Sequence, residues 1–181
     1  MSNAKISVGI TAYKNSEYLL DALNSLINQT VDSWEGIFIL DKGADSKTKK
    51  IFNSFQHPKI LKYRCRHHKG AEQARHQAIK LSSTIWYFQL DSDDKLPSYA
   101  ISEILNKINE NPDAEFIYGP TMHFSKTSSF LMPPSKNPEV LSTSPLFGTQ
   151  MPIKISMYFR IGGYAKELKY FCADWDFWLT V

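Results

Sequence analysis

Three carboxylates stand within four positions at Asp91-Ser92-Asp93-Asp94, directly after the apolar run Ile85-Trp86-Tyr87-Phe88-Gln89-Leu90. Mg²⁺ and Mn²⁺ are hard ions, satisfied by one or two such carboxylates together with phosphate oxygens and water. Carboxylates this close repel one another, which destabilises an empty site and favours a bound cation. Read as extended backbone, the segment points Asp91 and Asp93 to one side and Asp94 to the other. The competing reading is a solvated turn, where Asp and Ser are common. Three aspartates after a core strand favour the metal site.

No G-x-x-x-x-G-K-[ST] and no G-x-G-x-x-G occurs, and the chain has only eight glycines. A diphosphate ligand would therefore have its charge met by a metal ion or by basic side chains rather than by a Gly-rich loop. The densest basic stretch, Lys62-Tyr63-Arg64-Cys65-Arg66-His67-His68-Lys69, suits an anionic site, a membrane surface or, most commonly, a solvated edge strand and loop. His67 and His68 lack partners at metal-ligand spacing and read as loop residues, as do His57 and His123. Near the other end, Asp174 and Asp176 do not share a helix face, so they are not expected to act as a pair. Asp174 has the bland alternative of an N-cap, and Asp176 that of a first-turn acid.

These residues need a scaffold, and apolar periodicity supplies one. Ile6 to Ile10 reads as a strand. Leu19, Leu20, Leu23, Leu26 and Ile27 recur on one helix face, with Asn15 or Ser16 as caps. A strand at Gly36 to Leu40 follows, then a helix capped by Asp45 or Ser46 and a short strand from Ile60 to Tyr63. The helix after Gly70 carries Ala71, Ala74, Ala78 and Leu81, small residues suited to close packing on a sheet. Ile85 to Leu90 is a central strand, Ile101 to Ile108 a helix stopped by Asn111-Pro112, and Phe116 to Tyr118 another strand. Alternating strands and helices predict an α/β fold, a Rossmann-like three-layer α/β/α sandwich with a mostly parallel sheet and its ligand at the strand C-termini. From Met122 to Leu146 periodicity fades into a proline-containing connection. Past it come a turn at Gly162-Gly163 and a helix from Asp174 onward.

Composition sets the outer bounds. With 181 residues, 43% hydrophobic and 22% charged, the chain suits one α/β domain. A net charge of +3, from 21 basic and 18 acidic side chains, gives no case for nucleic acid but suits a phosphorylated ligand. No run reaches the roughly 20 apolar residues of a membrane span, and no signal-peptide pattern opens the chain. It reads as cytoplasmic, with the basic run offering peripheral association at the inner face of the cell membrane. Cys65 and Cys172 form no CxxC pair and read as free, partly buried thiols.

The order of short motifs resembles the inverting glycosyltransferases of family two, of the GT-A fold and the nucleotide-diphospho-sugar transferase superfamily. Ile10-Thr11-Ala12-Tyr13-Lys14-Asn15 resembles the family's opening strand and Thr-x-Tyr-Asn turn, and Ser25 to Thr30 its Leu-x-Gln-Thr helix ending. Ile39-Leu40-Asp41-Lys42-Gly43-Ala44 lies where the family has Val-Asp-Asp-Gly-Ser. Lys69-Gly70 to Ala74-Arg75-His76 is similar to Gly-x-x-x-Ala-Arg-Asn, and Leu90 to Asp94 to Leu-Asp-Ala-Asp-Asp. Phe159 to Tyr164 resembles the stretch ending Gly-Gly-Phe, and Ala173 to Trp178 the stretch Glu-Asp-x-Asp-Leu-Trp.

The resemblance implies a glycosyltransferase that moves a sugar from a nucleotide-diphosphate sugar to a hydroxyl of a saccharide or glycolipid acceptor, by metal-assisted inverting displacement, in polysaccharide or glycoconjugate synthesis. It implies that Thr11, Tyr13, Asp41 and Lys42 line the nucleotide pocket, that Arg75 supports the nucleotide or the aspartates, and that Asp91 and Asp93 hold ribose and metal. Asp94 would lie at the edge of the Mn²⁺ or Mg²⁺, and Asp174 matches the catalytic base. Residues 1–119 would form the donor half and 120–181 the acceptor side of one domain, C-terminally truncated at Val181.

The chain departs from the pattern at four positions. Lys42 replaces an Asp that reads the nucleotide base, and a lysine cannot accept a hydrogen bond from a uracil N–H. Ala173 replaces the Glu beside the base, His76 an Asn and Ala78 a Gly. Two rival readings follow: a non-catalytic nucleotide-sugar-binding domain, and a nucleotidyltransferase, which would be expected to show a phosphate loop near its first strand.

Overall fold

Strand β1 (Ile6–Ala12) turns alternate side chains to opposite faces of a sheet, and the two faces differ in kind. Ile6, Val8 and Ile10 enter one apolar cluster together with Phe38 and Leu40 of β2 (Trp34–Leu40) and Trp86, Phe88 and Leu90 of β4 (Trp86–Asp91). The helices α1 (Leu19–Ile27), α2 (Ser46–Ser54) and α4 (Ala100–Glu110) cover that face. Leu19, Ala22, Leu23 and Leu26 recur at the i, i+3, i+4, i+7 spacing and are all buried. Each leucine buried this way contributes roughly 1.5–3 kcal/mol.

The opposite face is covered by α3 (Ala71–Leu81), α5 (Ile155–Arg160) and α6 (Ala173–Thr180), through Ala74, Ala78, Ile79, Met157, Tyr158, Phe177 and Trp178. Ala74 and Ala78 let α3 lie close against β1 and β2. Toward this face β4 turns Tyr87 and Gln89, both fully buried. A Cβ on Gly9 would run into the Tyr87 hydroxyl, so the missing side chain in β1 makes room for that ring.

The computed structural model describes residues 3–14, 17–68, 70–124, 129–132, 150–165, 168 and 173–181. Its main sheet has the order β3-β2-β1-β4-β7, where β3 is Ile60–Arg64 and β7 is Ile153–Lys154. The first four strands are parallel and β7 runs antiparallel to β4. The chain leaves β1 toward β2 and β3 and then returns to place β4 on the other flank. This reversal opens a crevice at the C-terminal ends of β1 and β4, where ligands of open α/β sheets bind. The expected three-layer, mostly parallel α/β/α architecture is the one observed.

Several local expectations change. The cap of α1 is Tyr18, without a side-chain cap bond, while Asn15 and Ser16 lie outside the described residues. Asp45 caps α2 by accepting from the Thr48 N–H at 2.7 Å. Phe116 to Tyr118 is not a strand: Phe116 makes a single antiparallel bridge to Ile153. Within the stretch read as irregular, β5 (Thr121–Phe124) and β6 (Ser129–Met132) form an antiparallel hairpin. The four β5 residues are all exposed, so backbone pairing rather than burial organises them. Gly162 and Gly163, at φ 91° and 70°, make the expected turn. Cys65 is buried, and Cys172 lies outside the described residues.

Candidate functional site

The parallel register fixes the site's skeleton. Thr11 stands level with Ile39 on one side and Asp91 on the other, and the Asp41 N–H donates to the Ala12 carbonyl at 3.0 Å. Residues following the strand ends therefore close around one cleft of about 460 Å³. Its wall is made by Thr11, Ala12, Tyr13 and Lys14 at and beyond the end of β1, Asp41 after β2, His68 and Gly70 after β3, Ala71, Ala74 and Arg75 of α3, and Asp91, Ser92 and Asp93 at and beyond the end of β4. That size suits a small-molecule ligand.

Part of this wall is aromatic. The rings of Tyr13 and His68 stack with centroids 4.8 Å apart and planes at 26°. Gly43 lies against the Tyr13 ring, where an added Cβ would meet Cε2 at 2.5 Å. Buried Asp41 holds the arrangement together. Its Oδ1 accepts from the Lys42 N–H at 2.6 Å, and its Oδ2 accepts from the Gly70 N–H at 3.2 Å and faces His68 Nδ1 at 2.9 Å. Gly70 has φ 79°, a left-handed conformation that favours glycine and aims its N–H back at Asp41 while opening α3.

The acidic part of the wall rests on a buried polar file. Tyr87, Gln89 and Asp91 alternate onto the α3 face of β4. The Tyr87 hydroxyl donates to Gln89 Oε1 at 2.5 Å, and Gln89 Nε2 donates to Asp91 Oδ1 at 3.1 Å. From α3, Arg75 Nη2 donates to Oδ1 at 3.0 Å and Oδ2 at 3.1 Å of the same carboxylate. Burial works against the charged guanidinium, but the Asp91 carboxylate and the other acidic groups around it outweigh burial, so Arg75 sits above its ordinary pKa. Arg75 Nε is buried with no hydrogen-bond partner among the described residues.

Asp91 to Asp94 is a turn rather than extended backbone, closed by the Asp94 N–H donating to the Asp91 carbonyl at 3.1 Å. Asp94 consequently does not line the cleft, and its carboxylate accepts from Gln150 Nε2. Burial, then the Asp91 and Asp93 carboxylates, push the Asp94 carboxyl up to about 6. Among the described residues, no three His, Cys, Asp or Glu side chains are grouped to hold a metal. The turn can thus offer one or two carboxylates, the number Mg²⁺ or Mn²⁺ uses when phosphate and water complete its shell. On that count the residues fit such an ion.

Thr11, Tyr13, Asp41, Arg75, Asp91 and Asp93 come together as wall residues. Lys42, expected in the pocket, is exposed and does not line it. Asp174 is the second residue of α6, not its N-cap, and its Oδ1 accepts from the Trp175 N–H at 2.9 Å. It also lies outside the cleft wall. The buried Tyr164 hydroxyl is held above its ordinary pKa by burial first, with Arg75, Asp91 and Asp174 all near enough to act on it electrostatically. His68 and Gln89 are wall and support residues that motif reading passed over. Their signals were available: His68 follows a parallel strand next to the one ending at Asp41, and Gln89 is a polar residue two positions before Asp91 inside an apolar run.

The glycosyl transferase family 2 model matches residues 7–167. Over 118 residues the chain is 30% identical to the poly(ribitol-phosphate) beta-N-acetylglucosaminyltransferase TarP of Staphylococcus aureus, a match covering 64% of this chain and 36% of TarP. The structure of S. aureus TarS with UDP-GlcNAc superposes with a TM-score of 0.79 at 18% identity, covering 97% of this chain and 52% of that one. The mannosyltransferase PcManGT of Pyrobaculum calidifontis, with GDP-Man and Mn²⁺, gives a TM-score of 0.67 at 13% identity, covering 90% and 48%. These structural likenesses are of fold, the GT-A fold. The chain spans less than two thirds of the length of each of these relatives. No helix among the described residues is long and apolar enough to cross a membrane.

Proposed function

The chain belongs to glycosyl transferase family 2, whose model covers most of its length, and from that premise we propose that its cleft binds a nucleotide-diphosphate sugar and delivers the sugar to an acceptor hydroxyl. The observation that carries the proposal is one continuous wall joining an aromatic pair, Tyr13 and His68, to an acidic turn, Asp91 to Asp93, with Arg75 between helix and turn. A base can stack on aromatic rings, while ribose and diphosphate need polar and cationic partners. TarS with UDP-GlcNAc and PcManGT with GDP-Man and Mn²⁺ support this class of donor.

In this proposal Asp91, oriented by Arg75 and Gln89, takes the ribose, and Asp93 would hold Mn²⁺ or Mg²⁺ together with donor phosphate oxygens, with Asp94 at the edge. Bound there, such an ion would supply Lewis-acid neutralisation of the departing nucleoside diphosphate. Thr11 and Tyr13 fix the nucleoside so that the anomeric carbon is presented in one orientation, which supplies much of the rate. Asp174 removes the proton of the attacking acceptor hydroxyl, a role worth about 10²–10⁴-fold. One displacement of this kind inverts the anomeric centre. TarP, named for poly(ribitol-phosphate), supports an anionic polyol or saccharide chain as the acceptor class.

The test is transfer or hydrolysis from a panel of nucleotide sugars with Mn²⁺. Asp93→Asn and Asp174→Asn should each abolish turnover, and only the first should also weaken metal-dependent donor binding. Undiminished sugar transfer by Asp174→Asn removes the base assignment.

A further inference from the structure

Lys42 cannot accept a hydrogen bond, and the carboxylate next to it, Asp41, is already committed. Asp41 is 3% exposed, accepts from the Lys42 and Gly70 N–H groups, and has His68 Nδ1 at 2.9 Å from its Oδ2. A nucleotide base entering the cleft therefore finds no acceptor on Lys42 and little exposed surface on Asp41. It meets the imidazole in front of them, whose side chain is 42% exposed.

From this geometry we infer that His68 is the residue that selects the donor's base, and that it selects bases carrying an imide N–H. The inference rests on the donor-site reading above. A carboxylate has no proton to give, so of the two ring nitrogens it is Nδ1, 2.9 Å from Asp41 Oδ2, on which the proton is favoured. In a neutral imidazole the other nitrogen is then an acceptor. Nε2 makes no hydrogen bond among the described residues, and the ring belongs to the cleft wall. The stack on Tyr13 and the approach of Nδ1 to within 2.9 Å of Asp41 Oδ2 both constrain the ring, which gives the lone pair of Nε2 a preferred direction. Uracil at N3 and guanine at N1 have a donor for it. Cytosine and adenine present an acceptor at the corresponding position, and two acceptors facing each other leave both unpaired. A buried polar group left without its partner is discriminated against more strongly than a missing methylene. Asp41 thus works through His68, as the orienting carboxylate of a base-reading imidazole.

The experiment is calorimetric titration of the whole chain, at a pH where imidazole is neutral and with Mn²⁺ present, using UDP, GDP, CDP, ADP and 3-methyl-UDP, in which a methyl group replaces the imide proton. Wild-type protein should bind UDP or GDP at least about tenfold more tightly than CDP and ADP, and UDP about tenfold more tightly than 3-methyl-UDP, as one hydrogen bond implies. His68→Phe keeps a ring against Tyr13 and removes the acceptor. It should still bind diphosphates while the UDP to 3-methyl-UDP ratio falls to about one. Equal wild-type affinity for UDP and 3-methyl-UDP overturns the inference without any variant, and so does a ratio that survives His68→Phe. Binding of all nucleotides without preference sinks the His68 assignment but leaves the donor site standing. Binding of none, by folded protein, overturns both.

Discussion

Arg75 and Asp91 meet through a single guanidinium nitrogen, Nη2, placed 3.0 Å and 3.1 Å from the two carboxylate oxygens. Both side chains are largely buried, and the pair ties helix α3 to the end of β4 where the sheet opens. Arg75→Met should cost about 1–3 kcal/mol in urea unfolding, because it leaves a mostly buried carboxylate without its cation. Arg75→Lys should cost less in stability yet still weaken nucleoside diphosphate binding about tenfold, since an ammonium does not reproduce the planar guanidinium. Unchanged affinity in both variants would count against a role for this pair in the donor site.

The file beneath Asp91 predicts a compensating pair of substitutions. Gln89→Leu removes the acceptor of the fully buried Tyr87 hydroxyl as well as a donor to Asp91, and should destabilise by about 1–3 kcal/mol. Adding Tyr87→Phe removes the orphaned hydroxyl, so the double variant should be more stable than Gln89→Leu alone. Equilibrium unfolding of the four proteins measures the coupling. A double variant no more stable than the single one means the file is not a connected unit.

Asp94 gives a pH signature with a definite sign. Burial and its acidic neighbours raise its carboxyl from 3.8 to about 6, so the folded protein holds that proton more tightly than the unfolded chain. The associated stability is complete below about 3.8 and is lost as pH rises through about 6. Asp94→Asn should flatten this segment of the profile and melt higher than wild type at pH 7 in metal-free buffer. Solvent screening of this half-exposed group keeps the gain to about 1 kcal/mol or less. Thermal unfolding from pH 4 to 8 with a chelator makes the comparison, and parallel profiles for the two proteins would refute it.

Much of the fold was legible because burial writes itself into sequence twice: as the i, i+3, i+4, i+7 run of α1 and as the apolar strands that helices cover on both faces. The cleft followed from topology, since any residue placed just after β1, β2 or β4 must converge at the same edge. Legibility failed where other forces rule. The β5–β6 hairpin is joined by backbone pairing, and the β5 side chains are exposed, so β5 leaves no burial pattern. Asp94 turned away from its neighbours because a turn, not extended backbone, follows β4. Lys42 sits beside Asp41 in sequence but is exposed and does not line the cleft, whereas His68, 26 positions later and across a parallel strand pair, does. Long-range pairings of that kind are set by strand order, which local patterns do not encode.

Titration of the folded protein with nucleoside diphosphates, with and without Mn²⁺, tests the central claim most directly. At least one nucleotide should bind saturably, more tightly with Mn²⁺, and the metal-dependent gain should vanish in Asp93→Asn. At about 100 times its Kd the ligand should add roughly 2.7 kcal/mol of stability, visible as a raised melting temperature. A folded sample that gives no heat and no shift with any nucleoside diphosphate in the presence of Mn²⁺ contradicts the donor site itself.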